Sequence, residues 1–257
     1  MLEFRDISKV YSPGSVNENC LFRHFHLLIP RGQFVSVVGS NGSGKTSMLN
    51  LLCGSIPVDE GQILIEEQEI TNVKDFKRYR SIGRVYQNPA MGTCGDMTLL
   101  ENMAMADHKG KTFGLTPGTQ KRRMDFYREE LKKLDLGLED KLHIPVSSLS
   151  GGQRQALALV MSTLTPIEFL ILDEHTAALD PKTAELIMQL TGRLVREKQL
   201  TTLMVTHNLR YALEYGDRLL MLHEGEIILD KAGEEKKELA LSDVLQLFNQ
   251  ISVECGN

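Results

Sequence analysis

Gly39-Ser40-Asn41-Gly42-Ser43-Gly44-Lys45-Thr46 is a G-x-x-x-x-G-K-T run, and the apolar segment Phe34-Val35-Ser36-Val37-Val38 ahead of it reads as a buried strand. The glycines let the backbone curl so that successive N–H groups point inward, a geometry that cradles phosphate. Lys45 adds a mobile positive charge near the β- and γ-phosphates, and the Thr46 hydroxyl can ligate Mg²⁺. Apolar residues at helical spacing from Ser47 to Cys53 predict a helix whose N-terminus faces the same phosphates.

The rest of the chain alternates strand and helix around this unit. Leu2 to Val10 and Leu21 to Ile29 read as strands of an antiparallel layer, and Gln62 to Glu66 and Ile82 to Tyr86 as further strands. From Asn88 to Thr165 the pattern turns helical, with apolar stripes over Leu99–Ala106, Arg122–Leu136 and Gly152–Leu164. Alternation then returns as strand Glu168–Leu172, helix Pro181–Lys198 and strand Thr201–Val205. A hairpin is expected on Glu224-Gly225 between Asp217–Leu222 and Glu226–Leu229, and a last helix capped by Ser242 and running through Asn249. The expected fold class is α/β: a P-loop NTPase with a mainly parallel sheet, an antiparallel β layer and an inserted helical lobe. Residues 1–257 form one nucleotide-binding domain in this reading, with 1–87 and 166–257 as core and 88–165 as lobe. Ligands of such a sheet sit at the strand C-terminal ends, where Gly39, Gln87, Asp173 and His207 all fall.

Composition narrows the function. The 257 residues hold 29 Lys and Arg against 34 Asp and Glu, a net charge of −5 that argues against a general nucleic-acid binder. The local basic run Lys121-Arg122-Arg123 reads as a solvated helix face. Cys20, Cys53, Cys94 and Cys255 form no C-x-x-C pair, so neither a zinc site nor a redox motif is indicated, and a reducing cytosol fits. The longest stretches free of Asp, Glu, Lys and Arg, such as Gln155 to Ile167, have 13 residues, too few to span a bilayer.

A second cluster is more specific. Leu149-Ser150-Gly151-Gly152-Gln153-Arg154-Gln155 precedes the apolar strand Phe169-Leu170-Ile171-Leu172 ending in Asp173-Glu174. With Gln87 in Val85-Tyr86-Gln87-Asn88-Pro89, the Ala178-Leu179-Asp180 turn and His207 in Val205-Thr206-His207-Asn208, the chain resembles the ATP-binding cassette (ABC) ATPase family over nearly its whole length.

That resemblance implies a site for ATP and Mg²⁺. Nucleotide would contact Gly39, Ser40, Asn41, Gly42, Ser43, Gly44, Lys45, Thr46 and Ser47, with Tyr11 stacking on adenine. A buried carboxylate at Asp173 is costly without a cation, and Mg²⁺ shared with Thr46 and Gln87 would meet it. Glu174 is placed to polarise the attacking water, and His207 and Lys45 to contact the γ-phosphate. The family arrangement is a head-to-tail homodimer in which Ser150, Gly151, Gly152 and Gln153 of one subunit close over the nucleotide of the other, near Asp180. One departure stands out: His175 occupies a position where the family usually has Pro, which leaves the loop less rigid.

The same resemblance implies the energy-coupling subunit of a multi-subunit transporter, peripheral at the cytoplasmic face of a bacterial inner membrane. Its partners would be an integral membrane permease, gripped through Asn88–Glu101, and indirectly a substrate-binding protein, with no nucleic acid. The segments Asn88–Thr93 and Asp173–Thr183 are similar to a subgroup linked to bacterial uptake of amino acids, aromatic ones among them. The alternatives are a soluble ABC ATPase of the iron–sulfur assembly type and the ATPase subunit of an exporter.

Overall fold

The computed structural model describes residues 1–111 and 118–254. Its first part runs β1 (Leu2–Tyr11), β2 (Asn19–Ile29), β3 (Phe34–Gly39), α1 (Lys45–Cys53), β4 (Glu60–Ile65), β5 (Gln68–Glu69), α2 (Asp75–Arg78) and β6 (Ile82–Val85). Three longer helices follow, α3 (Leu99–Asp107), α4 (Lys121–Lys132) and α5 (Gly151–Ser162). The last part is β7 (Phe169–Asp173), α6 (Pro181–Lys198), β8 (Thr201–Val205), α7 (Leu209–Glu214), β9 (Arg218–His223), β10 (Glu226–Ala232), α8 (Gly233–Lys237) and α9 (Leu241–Glu254).

Two sheets organise the core. One is antiparallel, in the order β2-β1-β4-β5; the other has the order β10-β9-β3-β8-β7-β6 and is parallel except for β10. The parallel strands read as continuous apolar runs because both of their faces are covered. Alternate side chains go to opposite sides. Phe169, Ile171, Leu203 and Val205 pack with α1 and the antiparallel sheet, whereas Leu170, Leu172 and Met204 pack with α3, α5 and α6. A smaller cluster around Val38, Leu219 and Met221 is closed by α7 and α9.

Several boundaries follow from local chemistry. Asp180 caps α6 by accepting from the Thr183 amide at 3.1 Å, and Pro181 fills the first helical position, so α6 starts where the sequence predicts. Other boundaries differ from expectation. β4 begins at Glu60, ahead of the apolar run, because Glu60 and Gln62 pair with Ser8 and Arg5 of β1; backbone hydrogen bonding defines this strand more than side-chain character. α4 ends at Lys132, not Leu136, although Leu134 is still buried beyond its end. α9 starts at Leu241 and continues to Glu254; Ser242 lies inside it and donates to its neighbour Asp243 instead of capping.

The Lys121-Arg122-Arg123 run also has a role that its charge alone did not suggest. Asp107, at the end of α3, is 5% exposed and accepts from Arg123 Nε at 2.8 Å, Tyr127 Oη at 2.9 Å and Lys111 Nζ at 3.0 Å. Arg123 also lies 4.1 Å from the centre of the Phe126 ring. Arg123 is therefore a tie between α3 and α4, not merely part of a solvated face. Cys20, Cys53 and Cys94 are free, and Cys255 lies outside the described residues. Among the described residues no helix is long and apolar enough to cross a membrane.

Burial alone would raise the Asp107 pKa, but the bonds from Arg123, Lys111 and Tyr127 outweigh it and hold the carboxyl below the usual carboxylate range. The stabilisation is therefore present at neutral pH and is lost as pH falls through that depressed value. Asp107→Asn should lower the unfolding free energy at pH 7 by about 1–3 kcal/mol. Urea denaturation followed by circular dichroism should show the gap from the parent narrowing as the solution is acidified.

Candidate active site

The glycine-rich loop after β3 is shaped by steric necessity. A Cβ on Gly39 would lie 2.3 Å from the Leu222 carbonyl oxygen and 2.7 Å from Ser43 Oγ, so only glycine lets the loop turn back against β9. Lys45, the first residue of α1, is 5% exposed, and its ammonium donates to Gly39 O and Ser40 O, each at 2.8 Å, and to Ser43 Oγ at 3.3 Å. Burial lowers its pKa, opposed by the charge of Glu174. Thr46 is exposed on the first turn of α1. That turn carries no acidic residue, so nothing there opposes the attraction of the helix N-terminus for an anion.

Four motif segments meet at the C-terminal edge of the parallel sheet, since β3, β6, β7 and β8 run the same way. β7 ends in Asp173 and is followed by Glu174, whose backbone takes φ 48° while its amide donates to Val205 O at 2.9 Å. This turn brings Glu174 Oε1 to 2.8 Å from His207 Nε2, joining the proposed water-polarising carboxylate to the imidazole after β8. Gln87 is exposed just beyond β6.

Asp173 has a partner that sequence reading missed. Its Oδ2 accepts from Arg84 Nη2 at 2.6 Å, in a pair whose side chains are 17% and 8% exposed respectively. The compensating cation, expected to be Mg²⁺, is thus supplied at least on this oxygen by the protein. Burial acts to lower the Arg84 pKa, but the bond to Asp173 and nearby charges leave it raised, so the guanidinium is a permanent cation. The sequence signal was present: an arginine inside the short strand Ile82-Gly83-Arg84-Val85 has to find an anion or be expelled.

The remaining predicted residues have local roles as well. Tyr11 ends β1 and donates through its hydroxyl to Ser47 Oγ at 3.0 Å, which draws the ring towards α1. Ser150 and Gln153 form a reciprocal capping box on α5: Gln153 N donates to Ser150 Oγ at 3.2 Å and Ser150 N to Gln153 Oε1 at 3.3 Å. Ser150 and Gly151 are exposed at that helix end. Gly152 is buried, and a Cβ there would lie 2.2 Å from Thr183 Cγ2, so its smallness lets α5 approach α6 within the subunit. Asp180, besides capping α6, is exposed.

His175, expected to leave the loop less rigid, is anchored by packing and a hydrogen bond. It is 2% exposed, and its Nε2 lies 3.1 Å from Thr191 Oγ1. The Thr191 hydroxyl spends its proton on Ile187 O at 2.7 Å, so the imidazole must donate, which sets the neutral Nε2–H tautomer. Burial lowers its pKa from 6.5 to about 4. Unfolding exposes the ring to protonation, so stability contributed by neutral His175 is full above pH 6.5 and is lost as pH falls towards 4. We expect the parent to lose roughly 1–3 kcal/mol across that interval on this account. His175→Met should flatten that part of the stability–pH curve, as read from urea midpoints at a series of pH values.

Comparison with known proteins agrees with this geometry. Residues 22–177 match the family model described as ABC transporter. The chain is 44% identical over 248 residues to a tyrosine transport ATP-binding protein of Clostridioides difficile, covering 96% of this chain and 98% of that one. It is 30% identical over 266 residues to a phosphonates import ATP-binding protein of Bacillus anthracis, covering 98% and 99%. Among solved structures, a dimeric post-hydrolysis state of an ATP-binding cassette bound to ADP and Pi superposes with a TM-score of 0.75 at 29% identity, covering 90% of this chain and 98% of that one. Fold, site geometry and sequence likeness coincide, and the chain belongs to the ABC transporter family, as one of its ATPases.

Proposed function

We propose that this chain is the energy-coupling ATPase of a multi-subunit importer, with an amino acid, aromatic in the narrower reading, as the solute. The observation that carries hydrolysis is the Glu174–His207 contact of 2.8 Å at the strand edge that also bears Lys45 and Asp173. In this reading Glu174 accepts a proton from water as it attacks the γ-phosphate, while His207 holds the carboxylate in place and contacts that phosphate. Lys45 exchanges its loop carbonyl partners for phosphate oxygens. Tyr11 supports the adenine ring, and Ser40, Asn41, Gly42, Ser43, Gly44, Thr46 and Ser47 surround the phosphates.

Thr46, Gln87 and Asp173 come from three elements and offer hydroxyl, amide and carboxylate oxygens, a donor set that suits Mg²⁺. The ion, when bound, neutralises phosphate charge. Ser150 and Gly151 stand exposed at the N-terminus of α5, within the box that Ser150 forms with Gln153, which suits closure over the nucleotide of a second copy arranged head-to-tail. In this cycle ATP joins two subunits, and its hydrolysis lets them part. The core, 1–87 with 166–257, and the helical lobe 88–165 would move relative to one another as it turns.

A membrane partner is favoured by the surface beside Gln87. A cavity of about 300 Å³ next to Tyr86 is lined by Tyr79, Tyr86, Gly92, Met105, Ala158 and Met161 together with Arg84, Lys109 and Ser162. Met91 and Met105 are 69% and 59% exposed, and flexible methionines adapt well to a docked helix. We place the chain on the cytoplasmic face of the membrane beneath a permease, with a substrate-binding protein serving the other side. The similarity to a phosphonates import ATP-binding protein supports import, and the higher identity, to a tyrosine transport ATP-binding protein, supports an amino acid as the solute.

Glu174→Gln should reduce ATP turnover by roughly 10²–10⁴-fold. It should also accumulate an ATP-bound dimer on size-exclusion chromatography; a variant that stays monomeric with ATP argues against the composite site. Mass spectrometry of what co-purifies with the tagged chain from mildly solubilised native membranes should identify a polytopic permease. Recovery of soluble partners alone would overturn the transport assignment.

A further inference from the structure

Arg84 touches more of the site than Asp173. Its Nη1 reaches Asn50 Oδ1 at 3.4 Å and Cys53 Sγ at 3.7 Å, both on α1, the helix that begins at Lys45. Its guanidinium carbon lies 4.7 Å from the centre of the Tyr86 ring, the residue immediately before Gln87. Tyr86 is also held through its backbone, because its carbonyl accepts from Gln155 Nε2 at 3.0 Å. Gln155 is fully buried in α5, two residues beyond the Ser150–Gln153 capping box. One cation thus spans the phosphate-loop helix, the end of β7 and the segment that presents Gln87, and one amide ties that segment to α5.

This arrangement carries costs that packing alone does not explain. Arg84 Nε and Gln155 Oε1 are both buried without a hydrogen-bond partner. A buried network left partly unsatisfied costs stability and is tolerated where orientation matters. The two groups that Arg84 touches or adjoins, Asp173 and Gln87, stand at the ends of neighbouring parallel strands, where Val85 pairs with Leu172. Their backbones are spaced by the sheet, but their side chains need a further restraint. Metal-binding carboxylates commonly obtain it from a hydrogen bond to the oxygen that does not face the metal.

We propose that Arg84 is a positioning residue: by holding Asp173 Oδ2 and bracing Tyr86 against Gln155, it sets the Asp173 carboxylate and the Gln87 side chain relative to each other for the divalent cation. The proposal rests on the reading of Asp173 and Gln87 as cation-facing groups. Arg84 itself touches neither nucleotide nor metal. Because the guanidinium stays charged, it also reduces the electrostatic pull of Asp173 on a cation, so any gain in metal affinity on its presence has to come from orientation and not from charge.

The test is Mn²⁺ binding to the full chain in the presence of ADP, read by electron paramagnetic resonance, a measurement that needs no turnover. Arg84→Met should weaken Mn²⁺ binding by roughly 10–100-fold. ADP affinity measured in EDTA should be unchanged, which a general loss of structure would not allow. Tyr86→Leu retains the Arg84–Asp173 pair and a folded site should Arg84→Met fail to fold; it should weaken Mn²⁺ binding in the same direction by a smaller factor. Parental or tighter Mn²⁺ binding in these variants, with binding lost in Asp173→Asn, overturns the positioning role while the cation reading stands. Parental Mn²⁺ binding in Asp173→Asn removes the cation reading and this proposal with it.

Discussion

A parallel sheet covered on both faces has one place to put charged chemistry, the edge where its strands end. Apart from Ser36, Thr201 and Thr202, the side chains of β3, β7 and β8 ahead of the strand ends are apolar and divide between the two faces of the sheet, and a carboxylate or lysine in the middle of those strands would be buried without water. Asp173, Glu174, His207 and Lys45 therefore collect where the strands give way to loops. The same parallel direction that forces helical crossovers brings these residues, scattered over most of the chain, to a common edge.

Crowding charges at a partly buried edge requires that each one be answered. Lys45 is answered by loop oxygens, Glu174 by His207 and Asp173 by Arg84. These partners are not equivalent. Carbonyls and a hydroxyl carry no formal charge and can give way to phosphate, whereas Arg84 is permanently charged, enclosed on several sides and unable to leave cheaply. The edge thus combines exchangeable contacts around Lys45 with a fixed one behind the Asp173 carboxylate.

Much of this was legible in the chain because it is local. The spacing of glycines with Lys45 and Thr46, the apolar run closed by Asp173-Glu174 and the Ser150-Gly151-Gly152 segment each involve neighbours in sequence, so residue order carries their geometry. The start of α6 could be placed for the same reason, with its cap and Pro181 adjacent. In three places where expectation failed, a partner elsewhere along the chain intervened. β4 begins where β1 offers backbone pairs, Arg123 turns from solvent towards a buried Asp107, and His175 finds Thr191 sixteen positions away on α6.

The sequence by itself determined that a glycine-rich loop entering a helix at Lys45, an acidic strand end and a second glycine-bearing helix start exist in this chain, because a few consecutive residues and their spacing suffice to build each. Tertiary structure alone decided which charges meet. Arg84 and Asp173 lie 89 residues apart and become neighbours only when β6 pairs with β7, and Tyr86 is reached by Gln155 only when α5 packs beside that edge. Electrostatic compensation acts through space at a few ångströms, and no spacing rule along the chain encodes a contact made by strand order.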